Sequence, residues 1–142
     1  MGDRVELFQI DDAGLLFISS TITDWKVLER HNVDTVIDLD GRLDRRIPAA
    51  PDHLLYIFFP VTDEELPNLA KLRAVAALGA SLVKEGHCVL SHCAMGFNRS
   101  ALLAGLILNQ LGMPGSKAVE RLRDRRPGAL FNDRFASYLQ SL

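Results

Sequence analysis

Arg99 stands six positions after Cys93 in the run Val89-Leu-Ser-His-Cys-Ala-Met-Gly-Phe-Asn-Arg-Ser100, with His92 immediately before the cysteine and Ser100 immediately after the arginine. These residue types at this spacing suit nucleophilic attack on a bound oxyanion. A thiolate is the strongest nucleophile a side chain offers near neutral pH, and it is favoured at the N-terminus of a helix. The planar fork of Arg99 holds two oxygens of one phosphate at once, which a lysine cannot do. Ser100 brings a hydroxyl that can donate to the sulfur when it becomes a leaving group. Taken alone, Cys93 reads as a small buried hydrophobe and Arg99 as a solvated charge. His, Cys, Arg and Ser in this register have a chance expectation of about one in ten thousand per cysteine at average residue usage.

The elements around this run must make it a cradle. Cys88 to His92 (CVLSH) reads as a strand and Ser100 to Leu111 as a helix apolar almost all round, buried in the middle of a domain. The intervening Cys93, Ala94, Met95, Gly96, Phe97 and Asn98 then form a loop whose N–H groups and following helix N-terminus converge on one anion. Gly96 lets that loop bend, and Met95 and Phe97 are expected in the pocket walls. His92 is expected to organise the loop, with its side chain turned away from the cysteine.

Further strands are expected at Val5 to Ile10, Leu15 to Ser19, Asp34 to Asp40 and Leu54 to Val61, the last two as buried parallel strands. Thr23 is expected to cap a short helix ending at Arg30. Helices are also expected over Leu66 to Lys84, stopped by Gly86, over Ser116 to Arg125 and over Asn132 to Leu142. The sum is an α/β fold, a mostly parallel central sheet flanked by helices, in one domain spanning residues 1–142.

Attack on a phosphoester expels an oxyanion that needs a proton, a contribution of about 10²- to 10⁴-fold in rate. Asp63, in Phe59-Pro-Val-Thr-Asp-Glu-Glu, follows a strand at the same carboxyl edge of the sheet from which Cys93 emerges. It is the expected general acid, with Glu64 and Glu65 as competitors. Asp38 and Asp40 also end a strand, but Arg42, Arg45 and Arg46 nearby mark them as paired structural charges.

His92-Cys93-(x5)-Arg99-Ser100 resembles the signature loop of the cysteine-dependent protein tyrosine phosphatase superfamily, and the chain is similar to its small, atypical dual-specificity branch. LFISSTITDWKVLERHNVDTVIDL resembles that branch's opening strand, helix and strand, and RRPGALFNDRFASYL its closing segment, so some 130 residues are covered. The resemblance implies a phosphatase-like fold, hydrolysis of a phosphomonoester through a cysteinyl-phosphate, and an acid about thirty residues before the cysteine, where Asp63 stands. It also implies no metal or other cofactor. Asn98 departs from the branch, which more often has Ser or Gly there. Asn tolerates left-handed or bridge geometry, so a tuned loop is expected. Because the reaction needs Cys93 deprotonated and Asp63 protonated together, a bell-shaped, mildly acidic pH profile follows.

Composition bounds the rest. With 16 basic and 18 acidic residues the net charge is −2, so no global electrostatic footprint of a nucleic-acid binder exists. The 2 cysteines, Cys88 and Cys93, sit too far apart on an extended strand, about 16 Å against a limit near 7 Å, to form a disulfide. Cys88 is expected in the core, as is Trp25. The N-terminus does not read as a signal peptide and no apolar run reaches the ~18 residues of a membrane span. A cytoplasmic monomer acting on a phosphorylated protein or other phosphomonoester is expected, with phosphate or sulfate bound between Cys93 and Arg99. The loop has no lysine, which argues against multiply charged inositide head groups. Arg121, Arg123, Arg125 and Arg126 are a candidate recruiting strip for acidic substrates, or a solvated helix face. Two other readings stand beside hydrolysis: a rhodanese-like sulfurtransferase, separated by a thiosulfate assay, and a phosphate-recognising module without turnover.

Overall fold

In the computed structural model, which describes residues 5–142, Asp11 closes a turn by accepting from the N–H groups of Leu15 and Leu16, which sets two short strands antiparallel. These are β1 (Phe8–Gln9) and β2 (Leu16–Ser19); β3 (Val33–Asp38), β4 (Leu55–Phe58) and β5 (Cys88–His92) follow. The sheet order is β1-β2-β5-β3-β4, and every pairing except β1–β2 is parallel. The expected α/β class and mostly parallel sheet are therefore observed. The first four residues of the expected single domain lie outside the described residues.

The helices are α1 (Trp25–Arg30), α2 (Leu69–Lys84), α3 (Arg99–Gln110), α4 (Gly115–Arg125) and α5 (Asp133–Gln140). Alternation along the strands divides the core in two. Leu16, Ile18, Ile37 and Val89 pack with α2 to α5 on one face, while Phe17, Val36, Cys88 and Leu90 pack with Leu28 of α1 on the other. Helix α3 is buried along most of its length, as its all-round apolar sequence requires.

Several boundaries differ from expectation for local reasons. Asp24, not Thr23, caps α1, accepting from the Lys26 N–H. Helix α2 begins three residues late because Asn68 behind Pro67 supplies the cap, accepting from the Lys71 N–H. Strand β4 is shorter than Leu54 to Val61 and is not buried: it is the sheet's edge, with Leu55 and Phe58 exposed. Trp25 is only half-buried, its indole N–H donating to the Arg45 carbonyl.

Candidate active site

Strand β5 lies between β2 and β3, so its carboxyl end delivers Cys93 to the middle of one sheet edge. The loop that follows is seated on the end of β2. Cys93 N–H donates to the Ser19 carbonyl at 3.3 Å, and Thr21 N–H to the Ala94 carbonyl at 3.3 Å. Gly96 has φ 74°, and a Cβ there would come within 2.9 Å of the Ser19 and Ser20 backbone. No other residue fits.

Cys93 is buried; its sulfur accepts from the Gly96 N–H at 3.2 Å, and its thiol donates to Ser100 Oγ at 3.4 Å. The sulfur thus lies between the Gly96 N–H and Ser100, the second residue of α3. The N–H groups of Ala94, Met95, Phe97 and Asn98 make no hydrogen bond among the described residues. The expected loop residues thus form a concavity of backbone donors with a thiol at its base, suited to a tetrahedral oxyanion.

Arg99 opens α3, and its guanidinium donates to the Val61 carbonyl at 3.2 Å and stands 3.7 Å from Asp40 Oδ1. Asp40 is therefore not paired with Arg42, Arg45 or Arg46; its partner is Arg99. Asp38 is not paired with them either. It is fully buried and accepts from the Tyr56 hydroxyl, and burial pushes its carboxyl up from the ordinary value. Burial and then Asp38 likewise push the Tyr56 phenol upward. His92 Nε2 joins this group, 2.6 Å from Asp44 Oδ2 and 3.5 Å from Asp38 Oδ1. Its ring is wholly buried and makes no hydrogen bond to the Cys93 side chain, so it supports the loop from below.

Asp63 stands at the other rim. Its Oδ2 accepts from Asn98 Nδ2 at 2.9 Å and its Oδ1 from Asn132 Nδ2 at 3.1 Å. Its competitors are differently engaged. Glu65 pairs with Arg134 at 3.1 Å, and Glu64 contributes its carbonyl to Asn132. Of the three, Asp63 is the one whose carboxylate touches the Cys93–Arg99 loop, through Asn98. Asn98 does not adopt left-handed geometry (φ −113°, ψ −61°), and its buried side chain faces Asp63 rather than the concavity. Its distinction from Ser or Gly is the reach of its amide, not its backbone tolerance.

The arginine run does not form a recruiting strip. Arg121 and Arg125 pair with Asp12, and Arg123 donates to the Ala129 and Leu130 carbonyls. Arg126 lies between the Phe8 and Phe97 rings, 4.3 and 3.9 Å from their centroids, and donates to the Gly96 carbonyl. Phe97 thus supports Arg126, whereas Met95 is freely exposed. Cations face solvent elsewhere: a cavity of about 790 Å³ beside the loop is lined by Thr21, Trp25, Arg42, Leu43, Arg45 and Arg46, among others. None of these arginines has a carboxylate within 4.0 Å among the described residues.

Cys88 occupies a contrasting environment. It is buried in the core as expected, and burial, then the charges of Asp34 and Asp11, push its thiol up to about 12. Sequence reasoning missed Asn132 and the Asp40–Arg99 contact. An Asn before Asp-Arg-Phe reads only as a helix cap, and neither contact is local.

Residues 16–142 match the family described as dual specificity phosphatase, catalytic domain. The chain is 29% identical over 119 residues to dual specificity protein phosphatase 1 of Arabidopsis thaliana, covering 82% of this chain and 58% of that protein. It is 29% identical over 129 residues to protein tyrosine phosphatase type IVA 3 of Bos taurus, covering 87% of this chain and 70% of that one. The crystal structure of a single-residue variant of human DUSP28 superposes with a TM-score of 0.80 at 27% identity, over 95% of this chain and 92% of that chain. Several curated relatives are thus considerably longer than the matched region.

Proposed function

The chain belongs to the dual specificity phosphatase catalytic-domain family, and on that premise we propose that it hydrolyses phosphomonoesters through a cysteinyl-phosphate on Cys93. The observation that carries the reading is the Cys93 sulfur at the base of the loop, with the Gly96 N–H at 3.2 Å and Ser100 Oγ at 3.4 Å. A phosphoryl group seated on the loop amides presents its phosphorus to the sulfur.

In the first step the Cys93 thiolate forms the S–P bond as the P–O bond to the leaving group breaks, and Asp63 gives that oxygen its proton. In the second, Asp63 as carboxylate takes a proton from water, the water oxygen bonds to phosphorus, and the S–P bond breaks. Inorganic phosphate and the thiolate result. Arg99 and the loop N–H groups hold the equatorial oxygens through both steps, where preorganised donors stabilise the transition state most. Ser100, 3.4 Å from the sulfur, steadies it as a leaving group.

Substrates in this reading are phosphorylated proteins or other phosphomonoesters, taken by a monomer in a reducing cytoplasm where Cys93 stays unoxidised. No helix among the described residues is long and apolar enough to cross a membrane. The test is hydrolysis of p-nitrophenyl phosphate against pH in reducing buffer with EDTA. Wild type should turn over with a bell-shaped profile. Cys93→Ser should abolish turnover, Arg99→Ala should cut it by orders of magnitude, and Asp63→Ala should remove the limb that requires a protonated acid. No turnover by folded wild type at any pH would overturn the reading.

A further inference from the structure

Asparagine at the N-cap of a helix ordinarily turns its side-chain oxygen onto the second or third N–H of that helix. Asn98 occupies that position on α3 and makes no such bond. Its side chain is instead spent on two other segments, although it is 2% exposed. The Oδ1 accepts from the backbone N–H of Asn132 at 2.9 Å, and Nδ2 donates to Asp63 Oδ2 at 2.9 Å. A backbone N–H can only donate, so the atom facing Asn132 must be the oxygen. The amide orientation is therefore fixed, and Asp63 necessarily meets a donor.

Asn132 repeats the division of labour. Its Oδ1 caps α5, accepting from Arg134 and Phe135, while its Nδ2 reaches Asp63 Oδ1 at 3.1 Å and the Glu64 carbonyl at 3.2 Å. Each oxygen of the Asp63 carboxylate thus has one amide donor, and each amide is anchored at its other end. Asp63 is otherwise an exposed side chain on an irregular segment, which would spend its time among several rotamers.

We propose that Asn98 is a positioning residue for Asp63: its amide, locked in place by Asn132, holds the acid's carboxyl against the phosphate loop so that proton transfer to the leaving group depends on Asn98. The inference rests on the hydrolase reading above and deepens it. A carboxyl held in place needs no search for the leaving oxygen, which is where orientation contributes to rate. When protonated, it still offers lone pairs to both amides and one O–H to the substrate.

The test separates proton delivery from simple support of the loop. The value of kcat/KM is measured for wild type, Asn98→Ala, Asn98→Asp and Asp63→Ala on three aryl phosphates of increasing leaving-group basicity: difluoro-umbelliferyl, p-nitrophenyl and phenyl phosphate. Asn98→Ala should lose about 10- to 100-fold on phenyl phosphate and within about 3-fold on the difluoro-umbelliferyl ester. Asn98→Asp keeps the acceptor for Asn132 and sets carboxylate against carboxylate, so its dependence on leaving group should be at least as steep. In an Asp63→Ala background the substitution Asn98→Ala should cost within about 2-fold on every ester, because its route of action is gone.

Equal losses on all three esters, or an undiminished loss without Asp63, would overturn the proposal and leave the hydrolase reading intact. Should Asn98→Ala not fold, judged by circular dichroism, Asn98→Asp and its Asp63→Ala double variant give the same two readouts. Wild-type inactivity on every ester would instead overturn the hydrolase reading, and this inference with it.

Discussion

His92 Nε2 lies 2.6 Å from Asp44 Oδ2, and this contact ties the base of the Cys93–Arg99 loop to the segment that follows β3. Both side chains are essentially sealed from solvent, and the Tyr56 hydroxyl accepts from the Asp44 N–H. Removing Asp44 takes the nearest partner from a buried ring and an acceptor from the Tyr56 hydroxyl, at about 1 to 3 kcal/mol for each buried polar group left unsatisfied. Asp44→Ala is therefore expected to lower stability by about 3 kcal/mol, read as a fall in the urea midpoint with little change in slope. A loss below about 1 kcal/mol would mean that the pair is dispensable.

Gly96→Ala meets two obstacles together. The residue sits at φ 74°, and the new methyl would stand 2.9 Å from backbone atoms of Ser19 and Ser20, which cannot rotate aside. The loop must shift, taking the N–H that faces Cys93 with it. Activity on p-nitrophenyl phosphate should fall by more than about 100-fold, with a stability loss of about 2 kcal/mol. Thermal melting and steady-state turnover on one preparation check both.

Substrate charge should matter on one side of the pocket. Arg42, Arg45 and Arg46 line the cavity beside the loop, and Asp44 pins the segment that carries them. A phosphotyrosyl peptide with flanking acidic residues should show a lower KM than its alanine-flanked counterpart, and salt should erode the difference. Replacing the three arginines with glutamine should raise KM several-fold more for the acidic peptide than for the neutral one. Equal changes for the two peptides would remove this cavity from substrate selection.

The Cys88 thiol should make stability depend on alkaline pH. A thiol pushed up to about 12 from 9.0 holds its proton more tightly folded than unfolded. Its effect on stability is nil below about pH 9, and stability then falls as pH rises towards 12, by about 4 kcal/mol in all. Tyr56, also pushed upward, adds to the same loss. Cys88→Ala should flatten the alkaline fall seen in urea midpoints between pH 8 and 11 relative to wild type. At neutral pH iodoacetate should label Cys93 and spare Cys88, as peptide mass mapping would show.

The run from His92 to Ser100 was legible because its parts are contiguous: a strand, a glycine-bent loop and an apolar helix leave few other ways to fold. The segment of Asp63 could be placed at the right edge of the sheet by parallel-strand logic, with Glu64 and Glu65 left as competitors to Asp63. What separated them was Asn132, 69 residues from Asp63. Asn98 was visible as an unusual residue, but the use of its amide depends on that same remote neighbour. Strand β4 looked buried because LLYIFFPV is continuously apolar, yet strand order alone decides which strand takes the edge. The arginine run left two readings open for a related reason: a guanidinium satisfied by a distant carbonyl or ring has the same sequence signature as one that waits for a ligand.

Every segment around Cys93 leaves the sheet at one end, and the connection from α2 into β5 turns at the other. There Gly86 is exposed at φ 88°, with nothing within 4 Å of the place a side chain would take. The polarity of parallel strands thus gives the molecule a working end and a handle. A fluorophore, an affinity tag or a whole guest domain spliced in beside Gly86 would sit a strand's length from the chemistry, so the protein can be immobilised or reported on without touching the pocket it presents.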